Sequence, residues 1–273
     1  MSHPLLAAVL ALVQQAGTAI LPYWRTGVRV IEKADASPVT AADLAAHHVL
    51  NEGLQTLDAN IPVLSEEAAD ISLAERAGWT RWWLVDPLDG TKEFIADSEE
   101  FTVNVALIER GQVIFGVVGI PATGACYYGG AGLGARRVDA NGESQSISVR
   151  ETPASGLTVV ASRRHGSALQ EQLLTALAAR FGELERVSVG SSLKFCQLAE
   201  GSADCYPRLA PTSQWDTAAA QGVLEGAGGV VLTLQGEPLR YDARESLLNP
   251  FFLALPADAE WRELLVEQAK RLL

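Results

Sequence analysis

The sequence predicts an α+β / α/β protein of two lobes, in which helices on a mainly antiparallel sheet precede an α/β lobe. The segment from Phe101 to Ile108 alternates with period two, and Gly111 turns it into a second apolar segment that ends at Ile120, as in an antiparallel hairpin. After residue 157, strand-like and helix-like segments alternate, which is typical of a layered α/β unit. A chain of 273 residues can bury the core that two such lobes need.

The first half is predicted to contain helices followed by a series of strands. An apolar run after Ser2, the predicted cap, forms an amphipathic first helix. Thr40-x-x-Asp43 fits a capping box at the start of the second helix. Pro87 ends a buried strand because proline lacks a backbone donor. After the N-terminal helix, the predicted elements are helices at 40–57 and 91–96 and strands at 61–64, 82–85, 101–108, 113–120, 125–128, 134–138 and 146–149.

The second half begins after a segment with the composition of a linker, Glu151–Gly156. We therefore predict two domains, at residues 1–152 and 153–273. The predicted elements that follow are strands at 157–161, 185–189, 203–207, 230–234 and 251–255 and helices at 167–181, 192–200, 214–226 and 257–273.

Composition narrows the class of protein. The net charge of −12 disfavours binding to nucleic acid or to anionic lipid, and an acidic enzyme that handles phosphates needs cations to offset its own field. Three scattered cysteines, Cys126, Cys196 and Cys205, show no metal-ligand spacing and suggest a reducing compartment. The apolar run Leu5–Val13 lacks a basic leader and is too short to span a bilayer, so we predict a cytoplasmic protein without an integral membrane segment.

The most informative stretch of the chain is Trp82–Phe94, where a buried strand ends in two carboxylates. Asp86 and Asp89 are followed at once by Gly90 and Thr91. A cation held by the carboxylates would lie beside the free N–H groups of the following turn, which suit a phosphate. The alternative is an ordinary Pro-x-Asp-Gly turn with no ligand, and the stretch alone does not separate the two.

Acidic residues in three other segments could likewise belong to a functional site or serve only a local structural purpose. Glu66 and its neighbour Glu67 follow an apolar strand, but adjacent glutamates are also typical of solvated turns. Asp43 completes the capping box, which by itself explains its presence. Asp216 precedes a helix and could simply cap it.

Taken together, these motifs resemble the inositol monophosphatase-like family of metal-dependent, lithium-sensitive phosphatases. The resemblance covers essentially the whole chain, and within the family it is greatest to the bacterial 3'(2'),5'-bisphosphate nucleotidases. It implies a layered α-β-α-β-α sandwich. The motifs that carry it, in order, are Glu66-Glu67, Asp86-Pro87-Leu88-Asp89-Gly90-Thr91 with Lys92-Glu93-Phe94, Gly190-Ser191-Ser192-Leu193-Lys194, Trp215-Asp216-Thr217-Ala218-Ala219 and Ala227-Gly228-Gly229.

The resemblance also implies a role for each acidic residue. Two or three Mg²⁺ ions would be held by Glu66, Asp86, the Leu88 carbonyl, Asp89 and Asp216, which supply the oxygen ligands that Mg²⁺ prefers. Li⁺ would be inhibitory. Thr91 and Asp43 would activate the attacking water, and Glu67 would lie outside the ligand set.

The implied reaction is removal of the 3'-phosphate from adenosine 3',5'-bisphosphate or its sulfated form, linked to sulfate assimilation. The resemblance assigns substrate binding to Glu66, Leu88, Asp89, Gly90, Thr91, Ser162, His165, Ser191, Lys194, Arg208 and Asp216. For His165 and Lys194 the alternatives are a surface histidine and a solvated helix face.

Two other functions remain open from the sequence. The same chemistry on inositol monophosphate or a sugar phosphate is the first, and a non-catalytic metal or nucleotide sensor is the second. The predicted partner is a small phosphorylated nucleotide, the predicted state is a monomer or homodimer, and nothing in the sequence supports the peripheral attachment to the inner membrane that is sometimes ascribed to this branch.

Overall fold

The computed structural model describes residues 3–27, 30–32, 38–153, 155–161 and 168–271. Within them the helices are α1 (Leu6–Ile20), α2 (Ala41–Leu57), α3 (Leu73–Arg76), α4 (Thr91–Ile95), α5 (Ala168–Phe181), α6 (Leu193–Ala199), α7 (Trp215–Gly226) and α8 (Arg262–Lys270). The strands are β1 (Ile31–Glu32), β2 (Pro38–Val39), β3 (Val63–Ser65), β4 (Arg81–Asp89), β5 (Thr102–Glu109), β6 (Gln112–Ile120), β7 (Ala125–Gly130), β8 (Gly134–Val138), β9 (Ser144–Ile147), β10 (Thr158–Ala161), β11 (Glu185–Ser188), β12 (Tyr206–Arg208), β13 (Gly229–Thr233) and β14 (Phe252–Pro256).

The strands form two principal sheets. Strands β3 to β9 lie side by side in chain order in a seven-stranded sheet that is antiparallel except for the parallel pair β3–β4. In the second half, β10 pairs with β11 in parallel, and β12, β14 and β13 form an antiparallel sheet. A parallel bridge between Val159 and Cys205 joins these two pieces. The mainly antiparallel first sheet is therefore confirmed.

The helices and sheets form five layers, and their buried side chains form three cores. The first core lies between α1 and α2 on one side and the seven-stranded sheet on the other. The middle core contains α6 and α7 between the two sheets, and the third core lies between the smaller sheet and α5 and α8. This arrangement is the α-β-α-β-α sandwich that the resemblance implied.

Strand alternation explains how one sheet serves two cores. Successive side chains of a strand point to opposite faces. On β4, Trp82 and Leu84 accordingly belong to the middle core, whereas Trp83 and Val85 belong to the first. All four side chains are at most 5% exposed, so β4 is buried on both faces.

The middle core includes residues from both halves of the chain. Ala106 and Tyr127 of the first sheet belong to the same cluster as Phe195 and Phe252 of the second half. The boundary between 152 and 153 therefore remains a prediction about chain organisation, and the two halves share one core.

Helix α7 packs directly on the backbone of β6 because two glycines face each other there. A Cβ atom added to Gly116 would overlap the carbonyl of Ala219. One added to Gly222 would lie 2.7 Å from the Gly116 nitrogen and 2.8 Å from a methyl carbon of Val113. This close approach determines where the N-terminal end of α7, which carries Asp216, meets the sheet.

We expect Gly222→Ala to destabilise the protein by about 1–3 kcal/mol, because the new methyl group would be forced into a filled interface. Replacing glycine with alanine inside a helix normally stabilises a protein, so the steric overlap must outweigh this gain for the variant to be less stable. Gly17→Ala in α1 is the matched control, since its added Cβ would lie an ordinary 3.5 Å from Pro121. Urea unfolding measures the free energy of unfolding of both variants. Equal values for Gly222→Ala and Gly17→Ala would contradict the close approach of α7.

Several element boundaries differ from the predictions. Pro87 does not end β4, which continues to Asp89 with a register shift between Asp86 and Asp89 that releases the proline from the ladder. Strand β12 begins at Tyr206 rather than at 203, and β9 covers 144–147. Helix α8 begins at Arg262, after Trp261 has packed into the third core.

The N-terminal helix is longer than the predicted apolar run. It continues through a 3₁₀ turn, so that Leu6–Tyr23 is 18 residues long with a mean hydropathy of 1.5, which by length and composition alone would suffice to cross a membrane. One such helix is weak evidence, because core helices meet the same criterion, and Val9 and Ile20 are fully buried in the first core. Ser2 lies outside the described residues, and α1 begins without a side-chain cap.

Candidate active site

The acidic residues predicted from the sequence meet at one edge of the seven-stranded sheet. The parallel pairing of β3 with β4 places Ser65 opposite Val85, so Glu66 and Asp86 follow at the same edge. The N-terminus of α2 brings Asp43 to this edge, and Asp216 arrives in the first turn of α7. Four separated segments therefore contribute to one site.

Asp86 is the most deeply buried carboxylate of the group, with 1% of its surface exposed. Its Oδ1 accepts a hydrogen bond of 3.0 Å from the Leu88 N–H, a contact made possible by the irregular end of β4. Burial raises the pKa of Asp86 well above its ordinary value, and the negative charges of Glu66, Asp89 and Asp216 raise it further. A cation would relieve this accumulation of charge.

Asp89 connects the first sheet to the second half of the chain. Its Oδ2 accepts a hydrogen bond of 2.6 Å from the Ser192 N–H and a longer one of 3.5 Å from the Asn104 side chain. Burial raises the pKa of Asp89, and the nearby Lys194 ammonium opposes that rise. The carboxylate is therefore fixed in place from both lobes.

Asp216 does not occupy the cap position that its sequence context allowed. It is the second residue of α7, whose N-cap residue Gln214 makes no side-chain cap. Its Oδ2 accepts a hydrogen bond of 2.9 Å from the Ser213 N–H, just before the helix. Burial and the neighbouring Asp89 raise the pKa of Asp216 well above its ordinary value. The bond from Ser213 holds the carboxylate at the end of the helix that faces Asp89.

The donor set fits a hard divalent cation. The carboxylates and the Leu88 carbonyl are oxygen ligands, and each of three aspartates has a pKa raised partly by burial and partly by other carboxylates. Among the residues that the structure describes, no three His, Cys, Asp or Glu side chains are already arranged to hold an ion. The chemistry of the site therefore fits Mg²⁺.

Thr91 and Asp43 form a hydrogen-bonded pair at the same edge. The Thr91 hydroxyl lies 3.3 Å from Asp43 Oδ1 and 3.2 Å from the Leu88 carbonyl oxygen. Asp43 Oδ2 accepts bonds of 2.7 Å from both the N–H and the hydroxyl of Thr40, so the capping box is present as well. Burial raises the pKa of Asp43, and the Thr40 hydrogen bonds oppose the rise. The start of α2 therefore contains the capping box and also places Asp43 beside Thr91.

Gly90 allows β4 to turn into α4. It has φ of +90°, a conformation that side chains rarely adopt, and an added Cβ would lie 3.0 Å from the Glu100 carbonyl oxygen. The same Cβ would lie 3.4 Å from that of Ser191. The chain thus passes between the acidic edge and the loop of the second half without room for a side chain.

The predicted second-lobe residues lie beside the acidic edge as far as the structure describes them. Lys194 is 6% exposed, its ammonium donates 2.8 Å to the Ser191 carbonyl, and burial lowers its pKa to about 8. Arg208 donates to the carbonyls of Ala210 and Pro211, at 3.1 and 2.8 Å. Ser162 and His165 fall outside the described residues.

Asp89 is supported by Ser192, which belongs to a motif that we named, and by Thr102 and Asn104, which we did not predict. The Ser192 hydroxyl donates 2.8 Å to the Asn104 amide oxygen and lies 2.8 Å from the Thr102 hydroxyl, and all three residues are almost fully buried. The sequence does contain a signal for them. Thr102 and Asn104 are polar residues two apart in an otherwise apolar strand, so they share one face of β5.

Comparisons with known proteins identify the family of this chain. The model of the inositol monophosphatase family matches residues 1–272, and the chain belongs to that family. Two relatives named 3'(2'),5'-bisphosphate nucleotidase CysQ, from Escherichia coli O157:H7 and Salmonella typhimurium, are 48% and 47% identical over 250 and 251 residues, or 91% of this chain and 98% of each relative.

A solved structure of CysQ from Bacteroides thetaiotaomicron, described as a bacterial member of the same family, is also similar. It superposes with a TM-score of 0.80 at 37% identity, covering 92% of this chain and 96% of the other. Members of the family generally use Mg²⁺, in agreement with the oxygen donors gathered at the acidic edge. The layered fold and the family resemblance stated from the sequence are both confirmed.

Proposed function

We propose that this protein is a Mg²⁺-dependent 3'(2'),5'-bisphosphate nucleotidase that hydrolyses adenosine 3',5'-bisphosphate to AMP and phosphate. The observation that carries the proposal is the 48% sequence identity, over 250 residues and 91% of the chain, to a relative named for this activity. The acidic edge supplies the matching chemistry. The sulfated nucleotide is the second substrate, giving adenosine 5'-phosphosulfate and a place in sulfate assimilation.

Glu66, Asp86, the Leu88 carbonyl, Asp89 and Asp216 would hold the metal. When bound, Mg²⁺ supplies charge neutralisation for the phosphate and acidifies the attacking water. We infer two or three ions per site and inhibition by Li⁺. We further propose a monomer or homodimer in the cytoplasm.

The protein's own part in the reaction is to move a proton away from the attacking water. The Thr91 hydroxyl has one hydrogen, which can go to Asp43 Oδ1 or to the Leu88 carbonyl oxygen. When it is donated to Asp43, the hydroxyl oxygen can accept a hydrogen bond from that water. As the new P–O bond forms, Thr91 takes the water proton and passes its own to Asp43, whose raised pKa favours acceptance. The ester P–O bond then breaks, and the ribose oxygen leaves with a proton from solvent.

Lys194 is proposed to bind the second phosphate of the nucleotide. It is a buried cation that donates one hydrogen bond, to a backbone carbonyl, among the residues that the structure describes. Two of its three N–H groups are therefore proposed to bind a phosphate. Ser191 lies next to it with a buried hydroxyl that makes no hydrogen bond to any described residue. Arg208, Ser162 and His165 complete the proposed nucleotide contacts, with Gly90 and Thr91 at the phosphate that is removed.

The substrate proposal is tested by comparing phosphate release from adenosine 3',5'-bisphosphate, adenosine 3'-monophosphate and inositol monophosphate. We expect kcat/KM to be highest for the bisphosphate. Lys194→Met should lower it by about 10–100-fold for the bisphosphate alone, because a charge-assisted hydrogen bond contributes about 1.5–3 kcal/mol. A faster rate on inositol monophosphate would overturn the substrate, and an equal loss on adenosine 3'-monophosphate would overturn the role of Lys194.

A further inference from the structure

A cavity of about 480 Å³ lies at the opposite end of α7 from Asp216. Glu225 and Gln221 of α7 form one wall, and Glu225 is nine residues beyond Asp216, or about 13 Å along the helix. The remaining wall comes from the start of β6, the β7–β8 turn and the segment before Tyr241. The volume is within the usual range for small-molecule sites, about 300–1,000 Å³.

Glu225 is in an unfavourable electrostatic position. It is the penultimate residue of α7, where the helix dipole presents negative charge, and the last turn of α7 contains no basic residue. Burial raises its pKa above the ordinary value. Among the described residues, only the Gln221 side chain donates a hydrogen bond to the carboxylate, at 2.8 Å, and none forms an ion pair with it. A carboxylate in this setting is stabilised by a cation.

The basic groups on the cavity wall do not supply that cation. The Arg240 guanidinium is paired with Asp242 at 2.7 and 3.0 Å, and it also donates 2.6 Å to the Arg110 carbonyl. Burial and the charge of Arg81 lower the pKa of His3, which disfavours a positive charge on its ring. The Glu225 carboxylate is therefore the uncompensated charge of the cavity.

The Glu225 carboxylate is held in a fixed orientation by buried hydrogen bonds. Gln221 is 2% exposed, and its amide nitrogen also donates 3.1 Å to the Leu239 carbonyl, which settles the orientation of the amide. The Tyr241 hydroxyl donates 2.8 Å to the amide oxygen and lies 2.9 Å from Thr217. A site with such a network loses little side-chain entropy when a ligand binds.

We propose that this cavity binds a small molecule in which a protonated amine is attached to a short apolar body. The amine would pair with Glu225, and the body would contact the apolar wall formed by Val113, Leu133 and Leu239. The acidic edge does not contribute to this site, and the proposal does not depend on the phosphatase reaction.

The probe for the test is n-butylammonium chloride, titrated into the full chain at constant ionic strength and followed by calorimetry and by the NMR shift of the Gln221 side-chain amide. We expect a dissociation constant on the order of 1 mM, as for other fragments of this size. Glu225→Gln, which keeps the shape and the hydrogen-bonding capacity, should weaken binding at least about tenfold. Uncharged n-butanol should bind far more weakly than the amine.

Two further variants keep the test decisive. Glu237→Gln removes a neighbouring exposed carboxylate outside the cavity and should leave binding unchanged. Leu133→Trp fills the cavity without altering Glu225 and should abolish binding. Absence of butylammonium binding to the wild-type protein, or equal binding to the folded Glu225→Gln variant, would overturn the proposal, whereas loss of phosphatase activity alone has no bearing on it.

Discussion

Asp86→Asn is expected to lower kcat by at least about 10³-fold while the protein stays folded. Asp86 is buried beside Glu66, Asp89 and Asp216, so a neutral amide there removes a central oxyanion of the proposed metal site. Loss of several kcal/mol of charge stabilisation in the transition state corresponds to that factor. The hydrogen bond from the Leu88 N–H can still be accepted by the asparagine oxygen. Steady-state phosphate release at saturating Mg²⁺ measures the effect.

Thermal unfolding provides a second readout for the same variant. Burial among like charges raises the pKa of Asp86, which means that its ionised form destabilises the ion-free protein at neutral pH. Asp86→Asn should therefore raise the melting temperature without Mg²⁺, by about 2–4 °C for each kcal/mol of repulsion removed. The substitution should also abolish the rise in melting temperature that Mg²⁺ is expected to produce in the wild type. If Asp86→Asn kept its turnover and its melting temperature still rose with Mg²⁺, the assignment of Asp86 as a metal ligand would be wrong.

Thr91→Val is expected to lower kcat by about 10²–10⁴-fold, the usual contribution of a positioned proton-transfer group. The substitution keeps the branched shape of the side chain and removes the hydroxyl that reaches Asp43 and the Leu88 carbonyl. The backbone N–H groups of Gly90 and Thr91 at the phosphate are unchanged by the substitution, so KM should change little. Stability should also change little because Thr91 is half-buried at the start of α4. Steady-state phosphate release gives kcat and KM separately, and pre-steady-state release shows whether the chemical step is slowed.

Thr91→Ser is the matched control for this prediction. It restores the hydroxyl and should keep kcat within about tenfold of the wild type. If Thr91 and Asp43 act as one unit, Thr91→Val and Asp43→Asn should each cost nearly as much as the double variant. Fully additive losses would show that the two residues act separately, and the proton route from water through Thr91 to Asp43 would then be wrong.

Helix α7 links the features on which these expectations depend. Its N-terminus carries Asp216, its middle packs against β6 at Gly222, and its C-terminus presents Glu225 to the 480 Å³ cavity. Buried hydrogen bonds continue between the ends, from Gln221 through Tyr241 to Thr217, which follows Asp216 directly. One rigid element thus determines the position of an acidic ligand and of a distant carboxylate.

The sequence by itself determined most of the elements and the principal acidic residues of the site. Period-two alternation and the turn at Gly111 identified β5 and β6, because successive side chains of a strand point to opposite faces. In the structure both faces of β5 are buried. The capping box at Thr40 and Asp43 identified the start of α2, because it depends on residues three apart in the chain. The joint pattern around Glu66, Asp86 and Asp216 pointed to the family, and the family model confirms it.

Only the tertiary structure decided how these local signals combine. The irregular end of β4 carries the chain past Pro87 to Asp89, where local rules predicted a stop. The contact of Asp89 with Ser192 joins residues 103 apart in the chain, and the cavity at Glu225 is closed by segments from both halves. Such features depend on which faces are buried against each other, and burial is a property of the packed molecule, so no window of sequence contains it.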